Sequence, residues 1–344
     1  MSTIKEIARL AGVSRGTVDR VLNGRGGVSP STADSILAIA NRLHYSPNRL
    51  GKRLAIRKKQ LKFGCVLFGS KEKNPYFEEV ASAIEQRAVD LKDYGISVEI
   101  RSAALGDPHS LIRQIDLLVS EGISGLVLTP IEHETVRDKI ARLKNSGIPT
   151  VTIDSDLFPS ARLAYVGSHS FRSGQAAGNL MALFTGGQVR AGILLGSKSV
   201  RNHTERVDGF RDYFEKNDVQ SEILAVMENH DDDRESYEIT HDLLRRYPEM
   251  NALFLAAAGV KGACTAVMEQ NPLHKLQIVS FDTAPFTREM LKKGIITATL
   301  GQQPEVQGKK ALDILLDYLG LDLPPAKEQF FTKSEIIIKS NLTD

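Results

Sequence analysis

The sequence predicts an all-α head joined to an α/β body of two sheet lobes, and three observations lead there. Residues 1–60 carry 12 Lys/Arg against Glu6, Asp19 and Asp34, a charge of +9, whereas residues 61–344 carry 32 Lys/Arg and 39 Asp/Glu, a charge of −7. Capped apolar stretches at helical spacing fill most of that basic end. From Lys62 onward short apolar runs alternate with amphipathic helical patterns, the rhythm of parallel sheets covered by helices. A chain of 344 residues with 42% hydrophobic content can bury more than one core.

The head begins with Thr3-Ile4-Lys5-Glu6, a capping box that starts a helix, and Ile7, Ala8, Leu10 and Ala11 give it an apolar face. Gly12 ends it, because glycine adopts the left-handed conformation of a tight helix stop. Ser14 caps a second helix, Arg15 to Leu22, with Val18, Val21 and Leu22 inward and Arg15, Gly16, Asp19 and Arg20 outward. Ala8, Gly12 and Val18 stand at helix-turn-helix spacing: small where the helices touch, glycine at the turn, a branched aliphatic beneath the second helix. Ser29-Pro30 opens a third helix carrying Ile36, Leu37, Ile39, Ala40 and Leu43, which closes a three-helix core.

A basic head on an acidic body points to a polyanion, and a helix-turn-helix with this charge points to duplex DNA rather than to a solvated tail or a protein-interaction module. In that geometry Arg15 and Arg20 reach guanine edges or phosphates, while Ser14, Thr17 and backbone amides hold phosphates. Asn48 to Ile56, after Pro47, reads as a short, marginal helix with Leu50 and Leu54 on one side and Lys52, Arg53 and Arg57 available to phosphates. A charged linker is the alternative, since Gly51 weakens the helix.

Thr3-Ile4-Lys5-Glu6-Ile7-Ala8, Ala11-Gly12-Val13-Ser14, Thr17-Val18, Arg20-Val21-Leu22-Asn23 and Tyr45-Ser46-Pro47-Asn48 resemble the head of LacI/GalR-family regulators, a match running through nearly all of residues 3–54. The resemblance implies DNA contacts by Thr3, Gly16, Asn23, Ser29, Tyr45 and Asn48 beside those above. It also implies a hinge helix that folds only when paired with a second subunit on DNA, where Leu54 enters a minor-groove step and kinks the duplex. Asp19 departs from the usual serine; a carboxylate there either pairs with Arg15 or accepts from cytosine N4.

In the body Phe63–Phe68, Gly125–Thr129, Thr150–Ile153, Gly192–Leu195, Leu253–Ala256, Ile278–Phe281 and Thr297–Leu300 read as strands, and Phe77–Leu91, His109–Val119 and Val306–Leu319 as helices. This region resembles the periplasmic sugar-binding proteins that share the LacI/GalR body, which implies a type I two-lobed fold with ligand between the lobes. The expected divisions are a DNA-binding domain at 1–46, hinge and linker at 47–60, and an effector domain at 61–344. Its N-lobe is expected at about 61–166 and 303–330, and its C-lobe at about 167–302 and 331–344.

Ligands of open parallel sheets bind beyond the carboxyl ends of the strands, so polar residues following the apolar runs are the candidates. Asn74, Tyr76 and Phe77 follow the first strand; the rings either cover a sugar face or pack at a helix start. Asp154 and Asp282 end strands, as helix caps or as hydroxyl acceptors. The family match assigns both to the ligand and aligns Arg206 and Gln302 with its other polar contacts. Fork-shaped guanidinium and carboxylate groups engage adjacent hydroxyls, which suits a polyol. Ser155, where sugar binders commonly carry arginine, and Ala256-Ala257-Ala258, where they supply Asn or Asp, depart from the pattern. Lys198, Arg201 and His203 precede Arg206 and either meet a phosphorylated sugar or face solvent.

Asp154 and Asp282 could alternatively form a general acid and base pair, but no nucleotide-loop, zinc-helix or nucleophile-elbow motif accompanies them. His133, His169, His203 and His241 lack metal spacing, and Cys65 and Cys264 stand 199 residues apart as buried thiols, so no cofactor or metal is called for. No secretory signal or membrane span is legible, which implies a cytoplasmic protein and speaks against the rival reading, a transport-type binding protein. The partners expected are operator DNA, a small sugar or polyol and a second copy of the chain; no leucine heptads follow Lys339 to favour a tetramer.

Overall fold

A computed structural model of the chain describes residues 3–22, 27–43, 49–69, 74–270 and 276–342. The head holds α1 (Ile4–Ala11), α2 (Arg15–Leu22) and α3 (Pro30–Arg42) around Ile7, Ala8, Val18, Ile36 and Ala40. Each start is capped by a hydroxyl: Thr3 Oγ1 accepts from the Glu6 amide at 3.3 Å, Ser14 Oγ from Thr17 at 3.1 Å and Ser29 Oγ from Thr32 at 3.3 Å. Gly12 closes α1 at φ 65°, a conformation that a side chain would strain.

The segment expected as the hinge helix forms α4 (Arg49–Arg57). Its C-terminal end is anchored to the body: Ile56 is 1% exposed within the N-lobe core and packs toward Gly320. Arg57 lies on Gly95, and Lys59 pairs with Asp322 at 3.1 Å. That burial supplies the stabilisation that so short a helix lacks in isolation.

The body holds two six-stranded sheets. The first sheet contains β1 (Lys62–Phe68), β2 (Ser97–Ala103), β3 (Gly125–Leu128), β4 (Thr150–Ile153) and β5 (Ala164–Gly167). The second contains β6 (Gln188–Leu195), β7 (Gln220–Glu228), β8 (Ala252–Leu255), β9 (Gln277–Phe281) and β10 (Ala298–Gly301). The final strands β11 (Gln329–Phe331) and β12 (Glu335–Ile337) cross back, β11 parallel to β5 and β12 antiparallel to β10. The orders are β11-β5-β4-β3-β1-β2 and β12-β10-β9-β8-β6-β7. Three passages of chain therefore join the lobes, after β5, β10 and β11.

The central strands are buried throughout, hence their continuous apolar runs. The edge strands β2 and β7 are half-exposed and carry polar residues, though β7 also holds the apolar run Ile223 to Met227. Helices α5 (Pro75–Lys92) and α9 (Arg201–Lys216) bring Tyr76, Asn202, His203 and Arg206 to the cleft, and α8 (Ser170–Phe184) packs on α9. Between α8 and α9, Gly174 and Gly209 permit backbone contact: a Cβ at Gly174 would lie 2.1 Å from the Arg206 carbonyl oxygen, and one at Gly209 2.0 Å from that of Phe171. Cys65 and Cys264 are buried free thiols, and burial pushes the Cys264 thiol up to about 12. Among the described residues no helix is long and apolar enough to cross a membrane.

Candidate functional site

The outer side of α2 leaves Arg15, Gly16 and Arg20 exposed above the buried Val18. Ser14, Thr17, Ser29 and Thr3 lie at the helix starts beside them. A hydroxyl that accepts a cap bond keeps a proton to give to a phosphate oxygen, so capping and phosphate contact are compatible in Thr3, Ser14 and Ser29. Asn23, Tyr45 and Asn48 lie outside the described residues, as does the Lys52 side chain. Leu54 is 61% exposed. Arg53, its side chain still 41% exposed, pairs with Asp93 at 3.3 Å and sits over the Tyr94 ring, 5.1 Å from its centroid, because docking Ile56 lays this part of the helix against the N-lobe.

In the cleft three aspartates share one backbone feature. Asp154 follows β4, Asp231 follows β7 and Asp282 follows β9, and all three are left-handed, at φ 62°, 56° and 65°. Non-glycine residues seldom adopt this region, and such strain concentrates at functional sites. It turns each carboxylate off the strand end into the gap between lobes. Burial raises the pKa of all three, that of Asp231 to about 6 and that of Asp282 to about 7, with the Arg206 guanidinium opposing the rise in each.

Arg206 is buried on α9 with its guanidinium 3.9 Å from the Phe281 ring centroid. It donates to the Ala256 carbonyl at 2.7 Å and to Gln302 Oε1 at 2.5 Å. Gln302 Nε2 donates to Asp282 Oδ1 at 2.8 Å, and Ser168 Oγ donates to Gln302 Oε1 at 3.0 Å. One amide thus couples the guanidinium to a carboxylate that it does not touch. His203, on the same helix, accepts from the Ser197 amide through Nδ1 at 3.1 Å; burial and Arg206 push it down to about 3, so the ring is neutral.

The lobes are closed on one another through these groups. Asn74 caps α5 by accepting from the Tyr76 amide at 3.2 Å and reaches across to donate to Asp231 Oδ2 at 2.8 Å. Asn202 donates to Asp154 Oδ2 at 3.0 Å, and its backbone amide meets Ser155 Oγ at 3.4 Å. Tyr76 lines a cavity of about 250 Å³ together with Asn74, Phe281, Asp282 and Ala258. Phe77 packs edge-on against Phe68 in the N-lobe core instead, since successive helical residues face different directions. Three buried polar atoms in the site have no hydrogen-bond partner: Tyr76 Oη, Asn202 Oδ1 and Arg206 Nε. Buried polar groups are rarely left so, and this donor and acceptor set matches an absent hydroxyl-rich occupant.

Sequence reasoning missed Asn202 and Asp231. Asn202 precedes Arg206 by four residues and so shares its helix face, a signal available from spacing. Asp231 follows β7, whose apolar run Ile223 to Met227 was a signal available in the sequence, and it lies three residues past the strand end. Gly196 makes room for it: a Cβ there would lie 2.3 Å from Asp231 Oδ1 and 2.6 Å from His203 Cε1. Lys198 and Arg201 are engaged by Glu228 and Glu205, at 3.6 and 2.7 Å.

Two parallel lobes closed over a polar cleft, behind a helix-turn-helix, define a ligand-responsive DNA-binding protein. The chain belongs to the periplasmic binding protein domain family through residues 65–322, and its residues 3–48 are a DNA-binding domain of the lacI family of bacterial regulatory proteins. It is similar to the HTH-type transcriptional repressor PurR of Haemophilus influenzae (strain PittGG), 26% identical over 322 residues, 92% of this chain and 91% of that one. It is also similar to the HTH-type transcriptional regulator DegA of Bacillus subtilis (strain 168), 28% identical over 229 residues, 66% of this chain and 65% of that one. The crystal structure of GanP, a glucose-galactose binding protein from Geobacillus stearothermophilus, superposes with a TM-score of 0.74 at 26% identity, covering 82% of this chain and 98% of that chain. The relatives are transcriptional regulators, and this chain is a DNA-binding transcriptional regulator with a small-molecule-binding body.

Proposed function

We propose that the protein is a homodimeric repressor whose hold on a roughly palindromic operator is set by a sugar or polyol closed between its lobes. The observation that carries the ligand class is the shell of Arg206, Gln302, Asp282 and Asp154, in which Tyr76 Oη, Asn202 Oδ1 and Arg206 Nε lack partners. Forked donors and acceptors beside an aromatic ring suit vicinal hydroxyls on an apolar ring face. A phosphate ester fits poorly, because three carboxylates face the cleft and Lys198 and Arg201 are engaged by glutamates.

On the DNA side, Arg15 and Arg20 read bases, the cap hydroxyls with Lys52, Asn23, Tyr45 and Asn48 hold the backbone, and Leu54 opens the central step. Because Ile56 belongs to the N-lobe core, lobe movement is carried directly into α4 and changes the spacing of the paired hinges. The test is a thermal-shift panel of sugars and polyols followed by operator footprinting with each hit. A ligand that raises Tm and changes footprint occupancy is expected; saturable stabilisation without any change in occupancy would refute the coupling.

A further inference from the structure

The charge of the cleft narrows the ligand class, an inference that rests on the polyol reading above. Asp154, Asp231 and Asp282 are each at least nine-tenths buried or held on partners within the closed gap, and the single cation among them is Arg206; His203 is neutral. Outside this shell Glu79 lies behind Asp282 with Glu305, Arg288 and Glu78 around it, and Asp233 and the exposed Lys261 share the cavity rim. Inside it three carboxyl groups share one cation.

A second observation says what is missing. Asn202, 2% exposed, has its amide nitrogen on Asp154 and its Oδ1 without a partner, and the Tyr76 hydroxyl is turned to the same carboxylate, whose charged form it favours, and has no other partner. Next to Asp154, then, stand two residues whose oxygens still accept, the Asn202 amide and the Tyr76 phenol, and together with the carboxylate they offer acceptors that an ammonium with three N–H donors uses better than a lone hydroxyl with one proton. Asp231 adds charge without offering itself to the ligand, since Asn74 Nδ2 and the Ala258 amide occupy its two oxygens at 2.8 and 3.2 Å.

We propose that the effector is a cationic polyol, an amino sugar or amino polyol whose ammonium lies against Asp154, Asn202 and Tyr76, with Asp231 setting the preference for positive charge. The raised pKa values of Asp231 and Asp282 agree: without a cation the closed site relieves its charge by taking up protons.

The test uses the full chain and matched pairs at pH 6.5: D-glucose with D-glucosamine, D-galactose with D-galactosamine, D-mannose with D-mannosamine. In at least one pair the amine is expected to raise Tm and to bind at least tenfold more tightly in calorimetry, with that ratio falling below threefold in Asp231→Asn. Proton counting on the wild-type protein, by titration in two buffers of different ionisation enthalpy, gives a readout independent of the variant: the amine should bind with proton release and a neutral sugar without it. A neutral sugar that binds as tightly as its amine twin overturns this inference and leaves the polyol reading standing. No stabilisation by either member of any pair overturns both.

Discussion

Asn202 and Asp154, one from each lobe, are joined by a hydrogen bond of 3.0 Å that is buried on both sides. With the Asn74–Asp231 bond it forms one of two side-chain bridges that hold the cleft shut using groups assigned here to the ligand site. Closure and recognition therefore draw on the same atoms. Asn202→Ala is expected to favour the open arrangement, lowering ligand affinity about tenfold, the loss of one bond to a charged group. Small-angle scattering should show a larger radius of gyration in the unliganded variant; an unchanged profile would count against the bridge.

Gln302 makes three side-chain bonds, to Arg206, Asp282 and Ser168, and is 2% exposed. Replacing it by the similarly sized Met leaves a buried guanidinium nitrogen and a carboxylate unsatisfied. A destabilisation of about 2–4 kcal/mol is expected in urea denaturation, together with loss of ligand-induced stabilisation. A cost under about 0.5 kcal/mol would show that the network is not the scaffold of the site.

Much of this was legible in the sequence, for physical reasons that differ by residue. Asp154, Asp282 and Gln302 stand immediately after short buried central strands rich in apolar and β-branched residues, so a polar residue there meets the cleft. Asp231 was missed although β7 carries the apolar run Ile223 to Met227, because three residues separate it from the strand end. Phe77 and Tyr76 were indistinguishable in sequence, since which neighbour faces the core depends on how α5 is rotated against β1. The docking of Arg53 was equally hidden: its partners Asp93 and Tyr94 lie 40 and 41 positions away, in a turn that carries no pattern.

Burial sets a pH dependence whose sign follows from Asp282. Its folded-state pKa lies at about 7, above that of an unfolded carboxyl, so the native protein holds a proton there that the unfolded chain has lost. The contribution favours folding at low pH and is lost as pH rises through about 4 to 7. Unliganded protein should therefore lose stability between pH 5 and pH 8, by an amount on the order of a few kcal/mol at most. Asp282→Asn should flatten that slope in denaturant titrations at each pH; an equal slope would place the titration elsewhere.

Arg20 lies exposed on α2 above a core that it does not support. Arg20→Ala should leave stability within about 0.5 kcal/mol. If it reads a base, operator affinity should fall by about 1–3 kcal/mol while binding to random DNA falls far less. Equal losses on both would make it a phosphate contact.

Arg53 is shared between two claims, because the arginine that DNA would attract is held by Asp93 and Tyr94 in the absence of DNA. The pair is solvent-exposed, so its own worth is small, about 0–1 kcal/mol, and Asp93→Ala should barely move Tm. Its removal nevertheless frees a cation on each hinge helix and takes away a carboxylate that would repel phosphate. Operator affinity should rise a few-fold at low salt, and the gain should shrink as salt is added, because exposed charges are screened. If Asp93→Ala instead weakens binding at every salt concentration, the contact with Asp93 serves to place α4 for DNA rather than to compete with it.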